Sequence, residues 1–379
     1  MPAAERDRVT IVSHINAGIS VEIADCTQYE ITTDLMQPSV ARFELGDNST
    51  YADLRDALKI GNRFFVAING NKRITGRLLT RNLPVSPEAG ATVQVTIRTN
   101  LADAAFTSVN PKIGISNADL KTVILKAFER MGLTEKDFIF RADVARNLLT
   151  GQGKKSPPPP DMKAMTEDEA RPHPPETVFQ FVDRHLSRFH LMMWDAADGR
   201  IVIGQPDDGQ TPSYPLRCKR YDKPWLNNIL RAAKSEDYED VPETIQVYGA
   251  TIDLEESLLK IQAKRIEGLL QVVKPRLDRQ VVITDQSLTT QAQAEARARR
   301  EMLKRSLSKD SWAIDVDGFA YRRDGRVVPY GIDTIADVDI DVQGEASGPY
   351  LAWQCTMRGD ASSGHVTSLV AVGRGIWQL

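Results

Sequence analysis

The pattern with the most chemical content is Asp337-Val338-Asp339-Ile340-Asp341-Val342, three carboxylates spaced two residues apart. An Asp-x-Asp-x-Asp run opens many calcium loops, but here the glycine turn and the distal glutamate are missing. Two-residue periodicity describes a strand instead, with Asp337, Asp339 and Asp341 on one face and Val338, Ile340 and Val342 on the other. The apolar side must face a core, and three mutually repelling acids are expected to face water. Other chemistry-bearing residues form no such pattern. In Gly151-Gln152-Gly153-Lys154-Lys155-Ser156, Leu148 occupies the first glycine position of a phosphate loop, and Lys155 stands where Ser or Thr should follow the lysine. The histidines, His14, His173, His185, His190 and His365, include no pair at i and i+4 on one helix, so they read as ordinary, partly exposed side chains. No Gly-x-Ser-x-Gly elbow occurs, and Ser362-Ser363-Gly364-His365 reads as a polar turn. A glycosidase needs two carboxylates, and nothing singles out two among 51 acidic residues. The expectation is a non-enzyme without catalytic, cofactor-binding or metal-binding residues, and without a cofactor.

The bulk numbers narrow the class. A chain of 379 residues is too long for one ordinary core, so two to four subdomains are expected. Hydrophobic residues make up 41% and charged residues 26%, the balance of a globular protein that is neither disordered nor membrane-embedded. A net charge of -3 supplies no basic field to hold a phosphate backbone, which disfavours tight DNA binding. Cys26, Cys218 and Cys355 are odd in number and far apart, so they read as free, buried thiols. No segment reaches the ~18 consecutive apolar residues of a membrane span, and the N-terminus lacks an apolar leader core, so no membrane insertion and assembly in a cytoplasm are expected.

The elements that must position these residues fall into three stretches. From Val9 to Arg98 short alternating runs predict half-buried strands, including Ala41-Arg42-Phe43-Glu44-Leu45 and Thr92-Val93-Gln94-Val95-Thr96-Ile97. Asn69-Gly70 predicts a type I′ hairpin from Arg63 to Leu79. A helix capped by Asn117 follows, with Leu120, Val123, Ile124, Ala127 and Met131 at three- and four-residue spacing and Gly132 as its stop. A second helix runs from Glu176 to about Arg188, then a hairpin turns at Ala197-Asp198-Gly199. Between the helices lies an exposed proline-rich loop over 151–175. From Asn228 strands return, interrupted by one long helix near 290–305 whose Ala292, Ala296, Arg299 and Leu303 share a side while Arg297, Arg300, Lys304 and Arg305 point elsewhere, as a solvated basic face. The fold class is α+β, predominantly β: a β-barrel-like domain over 1–104, an α/β domain over 105–213 and a second β-barrel region over 214–379.

Several segments occur in the order seen in a known family. Ser39-Val40-Ala41-Arg42-Phe43-Glu44-Leu45, Ile60-Gly61-Asn62-Arg63-Phe64, Gly76-Arg77-Leu78, Glu176-Thr177-Val178, Gly199-Arg200-Ile201-Val202, Asn228-Ile229-Leu230 through to Gly249, and the Ala- and Arg-rich helix from Thr290 carry the likeness. In their order and spacing the chain resembles the central baseplate hub proteins of contractile phage tails, the phage Mu hub-like tail protein family. The proline-rich insertion departs from that pattern. The resemblance implies a homotrimer whose two tube domains per chain form a pseudo-sixfold ring. Such a ring would bind the tail tube protein, the central spike protein and other baseplate proteins, and would let DNA pass without specific binding. It also implies a structural virion protein of the tail baseplate, acting as a symmetry adaptor during genome ejection. Asp337, Asp339 and Asp341 would then face the channel. Alternatives are another spike or baseplate component, a tail-associated peptidoglycan hydrolase, and an unrelated oligosaccharide- or nucleic-acid-binding barrel.

Overall fold

The computed structural model describes residues 8–16, 19–23, 26–46, 55–86, 90–113, 119–141, 171–173, 175–237, 239–242, 244–249, 260–262, 279–285, 288, 291–307, 311–323, 326–342, 345–360 and 364–374. The alternating N-terminal runs form antiparallel strands: β1 (Val9–Asn16), β2 (Ile19–Ile23), β3 (Cys26–Asp34), β4 (Val40–Gly46), β5 (Arg63–Ile68), β6 (Asn71–Asn82), β7 (Val85–Ser86) and β8 (Gly90–Arg98). Asn69 and Gly70 join β5 to β6 with φ of 52° and 78°. Both lie in the left-handed region that a type I′ turn requires, as the Asn-Gly pair predicts.

The next elements are α1 (Asn100–Phe106), α2 (Leu120–Glu129), β9 (Phe138–Phe140), α3 (Val178–Ser187), β10 (Met192–Asp195) and β11 (Ile201–Gly204). The cap of α2 is Asp119, whose carboxylate accepts the Thr122 N–H at 2.7 Å, while the expected Asn117 lies outside the described residues. Gly132, with φ of 73°, follows the helix as expected. Thr177 and Gln180 cap α3 reciprocally, at 3.2 and 3.0 Å. Leu120, Val123, Phe128, Phe181, Leu186, Met193 and Ile201 bury the helices against the β10–β11 hairpin. The phosphate-loop-like segment and most of the proline-rich stretch, residues 151–170 and 174, lie outside the described residues.

The C-terminal part contains β12 (Tyr214–Cys218), β13 (Ile229–Ser235), β14 (Thr244–Gly249), β15 (Lys260–Gln262), β16 (Gln280–Asp285), α4 (Gln291–Ser306), β17 (Ser311–Asp317), β18 (Ala320–Arg323), β19 (Arg326–Pro329), β20 (Ile335–Val342), β21 (Glu345–Asp360) and β22 (Gly364–Gly373). On α4 the buried side differs from the expected one. Ala294, Ala298, Met302 and Leu303 are buried, whereas Arg299 is exposed. Ala294, Ala298 and Met302 pack on Ile245 and Val247 of β14. Arg300, expected on a solvated face, is buried and paired with Asp183 of α3.

One 14-stranded sheet contains strands from both ends of the chain, in the order β13-β17-β22-β21-β3-β4-β8-β6-β5-β1-β2. The junction is β21 against β3, from Gln354 opposite Asp34 to Asp360 opposite Gln28. The main core is likewise shared, with Tyr29, Phe43 and Phe64 in one cluster with Trp312, Ile314 and Leu369. In the C-terminal part, β20 pairs with the first half of β21, and β12 runs parallel to β20. The two ends of that path meet where Asn228, just before β13, donates its N–H to the Arg217 carbonyl of β12 at 3.1 Å. The fold is predominantly β with large antiparallel sheets, as the alternation predicts.

Candidate functional surface

β20 has the expected two-sided construction. Ala336, Val338 and Ile340 are buried in the main core, while Asp337 and Asp341 are exposed on the opposite face; the Val342 side chain lies outside the described residues. The middle acid is not simply solvated. Parallel pairing sets Arg217 of β12 opposite Asp339. Lys219 Nζ lies 2.6 Å and the Arg217 guanidinium 3.8 Å from the Asp339 carboxylate. The Ser347 hydroxyl donates to it at 3.1 Å. The Lys219 hydrogen bond holds the Asp339 carboxyl below the usual carboxylate range. The face is therefore a mixed-charge patch with two exposed acids flanking a paired one.

A second polar surface lies on β21, β3, β4 and β8, separated from the acids of β20 by the buried apolar side chains of Ile335, Leu351 and Trp353. Register aligns Arg358 of β21, Glu30 of β3, Arg42 of β4 and Thr96 of β8 in one row. Glu30 pairs with Arg42 at 2.9 Å and Arg358 at 3.2 Å. Beside them Gln94 donates to Glu44 at 3.0 Å. Gln28, Glu30, Arg42, Glu44, Asn82 and Gln94 are among the residues lining an open groove of about 470 Å³ there. Half-exposed ion pairs of this kind add little stability. They leave the sheet face there hydrophilic, with the Glu30 charge met by two arginines.

Away from this groove, isolated polar side chains tie the three parts together. Asp195, at the end of β10, is buried and accepts the Ser39 N–H and the Thr99 hydroxyl, each at 2.8 Å. Thr99 Oγ1 in turn caps α1 by accepting the Ala102 N–H at 3.3 Å. Burial pushes the Asp195 carboxyl up to about 6 against the opposing effect of these hydrogen bonds. Arg141, after β9, is ion-paired with Asp333, and its guanidinium lies over the Trp194 ring, 5.0 Å from the centroid. Asp333 also accepts the Asp207 N–H at 3.0 Å and has a φ of 57°. Arg73 of β6 donates to the Tyr330 carbonyl at 2.8 Å. A cavity of about 300 Å³ lies at this meeting point, lined by Thr33, Arg73, Trp194, Asp195, Asp333 and Cys355 among others. None of these joints was singled out by sequence, because each is a single ionisable residue whose partner is distant in the chain.

The remaining candidates are dispersed. Cys26, Cys218 and Cys355 are free; Cys355 is buried and the other two half-buried, and burial pushes the Cys26 and Cys355 thiols up to about 12. His185 departs from the expectation of exposed histidines. It is fully buried on α3, edge-on to Phe181 at 4.6 Å, and burial followed by the Arg188 and Arg184 charges keeps it neutral well below the usual histidine range. His365 Nδ1 bonds the Tyr29 hydroxyl, and Ser362 and Ser363 lie outside the described residues. Among the described residues no three or more His, Cys, Asp or Glu side chains are grouped to hold a metal ion. No described helix is long and apolar enough to cross a membrane.

No protein-family model matches the chain, and no curated protein matches it either. Solved structures do. A tail protein from Neisseria meningitidis MC58 superposes with a TM-score of 0.73 at 16% identity, covering 98% of both chains. The 43 kDa tail protein of prophage MuSo2 from Shewanella oneidensis superposes at 0.69 with 14% identity, over 97% of this chain and 99% of that one. The c3393 protein of E. coli, a type VI secretion system component with structural similarity to the T4 tail proteins gp27 and gp5, gives 0.52 at 11% identity, over 97% and 76%. Over nearly its whole length, the chain has the fold of these phage tail proteins.

Proposed function

We propose that the chain is a structural subunit of the central hub of a contractile phage-tail baseplate, working through its interfaces and not as an enzyme. The observation that carries this reading is the match over 98% of both chains to a phage tail protein. The organisation is a tube domain over 1–104, an α/β domain over 105–213 and a second tube domain over 214–379. The shared sheet and core support this, since strands from both ends of the chain are held as neighbours. Each tube domain forms a barrel-like unit, and the meeting of β12 and β13 at Asn228 supports this for the second. Three copies then present six similar units, matching a sixfold tail tube above while keeping threefold symmetry for a spike below. The protein is assembled in the host cytoplasm and resides in the virion.

In this reading the sheet face that carries Asp337, Asp339 and Asp341 lines the channel for DNA. A face of fixed acids and internally paired charges gives phosphates nothing to bind, so DNA slides past without counterion release. A phage lacking the gene, complemented with the wild-type chain, is expected to regain infectious particles. Complementation with Asp337→Lys and Asp341→Lys together, the two exposed acids, is expected to restore particles of normal appearance that deliver DNA at least several-fold more slowly. Normal delivery by that variant contradicts the channel assignment, and normal baseplates without the gene contradict the hub role.

A further inference from the structure

The two most exposed aromatics among the described residues lie together on one short loop. Tyr221 is 83% and Trp225 77% exposed, and Arg220, Lys223 and Pro224 beside them are also exposed. Leaving two such rings in water forfeits the gain from burying them. The loop is nevertheless held in one shape. Asn227 makes a two-way clamp with Lys219, accepting its N–H and donating to its carbonyl, both at 2.8 Å. Asn228 accepts the Arg217 N–H at 2.7 Å and donates to the Pro215 carbonyl at 2.8 Å. The Arg217 guanidinium donates to the Asp222 carboxylate at 2.6 Å, which offsets the one acid in the loop. Lys223 is kept at a φ of 48°. A rigid loop that offers aromatics and cations resembles a binding hot spot whose ordering entropy was lost on folding.

The complementary surface is on the same chain. β13 leads from this loop to a second exposed segment, Glu236, Asp237, Glu239 and Asp240, which is acidic. Seven strand residues separate them by roughly 23 Å, so the two cannot meet within one copy.

We propose that the Arg220–Trp225 loop of one copy docks on the acidic segment around Glu236–Asp240 of a second copy. The contact is heterologous, head to tail, and it repeats from copy to copy until a ring closes. The aromatic rings supply the buried area, while Arg220 and Lys223 select the acidic surface and orient the approach. This inference rests on the oligomeric reading above and gives it a named interface.

The test is the solution mass of the full chain by sedimentation. The wild type is expected to be oligomeric, and Tyr221→Ser with Trp225→Ser is expected to be monomeric, with self-association weakened at least 100-fold and thermal unfolding of the fold retained. Arg220→Glu with Lys223→Glu is expected to dissociate the oligomer as well, and adding Glu239→Lys and Asp240→Lys to that chain is expected to restore it. An oligomer that survives the aromatic double variant overturns the loop while leaving the hub reading intact. Failure of the four-fold variant to reassociate overturns the pairing of the two surfaces. A monomeric wild type overturns both the inference and the oligomeric reading. Wild-type mass in the variants, combined with a loss of binding to single-stranded DNA or to anionic vesicles, assigns the loop to another class of partner and likewise overturns the proposal.

Discussion

Gly76→Ala is expected to cost about 3 kcal/mol or more and to lower the melting temperature by roughly 4 °C or more. A Cβ at this position would lie 2.1 Å from the Arg98 carbonyl oxygen and 2.6 Å from its carbon. These are backbone atoms of β8, which cannot rotate away as a side-chain tip would. Gly76 is in β6, opposite Phe64 of β5 and beside the Arg77–Arg98 pair that joins β6 to β8. Space for the methyl group requires β6 and β8 to separate next to Phe64, Leu78 and Ile97, all fully buried in the main core. Gly46 is a suitable control. It is also a strand glycine, yet its nearest neighbour is Thr27 Cγ2 at 3.7 Å, an ordinary contact, so Gly46→Ala is expected to change stability by no more than ~0.5 kcal/mol. Urea unfolding of both variants decides the matter, and equal stabilities contradict the close approach of β6 to β8.

The second large effect is a pH dependence centred on Asp195. Its folded carboxyl titrates at about 6, above the ~3.9 of an unfolded aspartate. A raised acid binds its proton more tightly in the folded state, so its contribution to stability is fully present below the unfolded value and is lost as pH rises through the folded one. Between pH 4 and 7 wild-type stability should therefore carry a falling component of about 2–3 kcal/mol. Asp195→Asn keeps a carbonyl oxygen to accept from Ser39 and Thr99 but cannot ionise, so it is expected to lack that component. His185 acts in the opposite direction: its lowered value means that stability is lost as pH falls below about 6.5. It is common to both proteins, and the difference between them isolates Asp195. Denaturant unfolding at pH 4.5 and 7.5 checks this. A wild-type minus Asn difference that does not change with pH contradicts the buried, raised carboxyl.

Local patterns were the readable part of this fold. Asn69-Gly70 specifies its hairpin through two residues that accept positive φ, and Thr177 with Gln180 caps α3 from three positions apart. The alternation of β20 follows from its own residues. What sequence could not reveal are the partners that lie far along the chain. Asp339 reads as a solvated acid until β12 brings Lys219 to it, and Asp195 is 156 residues from Ser39 and 96 from Thr99. On α4 alanines and arginines recur so densely that several faces look equally plausible. The buried face is selected by Ile245 and Val247 below Ala294 and Ala298, and by Asp183, which allows Arg300 to be buried. The joining of both chain ends in one sheet depends on β21 meeting β3, a pairing with no local signature.

In the proposed hub role, these long-range joints would let each copy carry load as one body. The hub assignment stands or falls on the solution mass of the purified chain together with a low-resolution image of the particle. Three copies in a ring with a central hole and a pseudo-sixfold outline are expected, and a compact monomer would contradict the hub assignment.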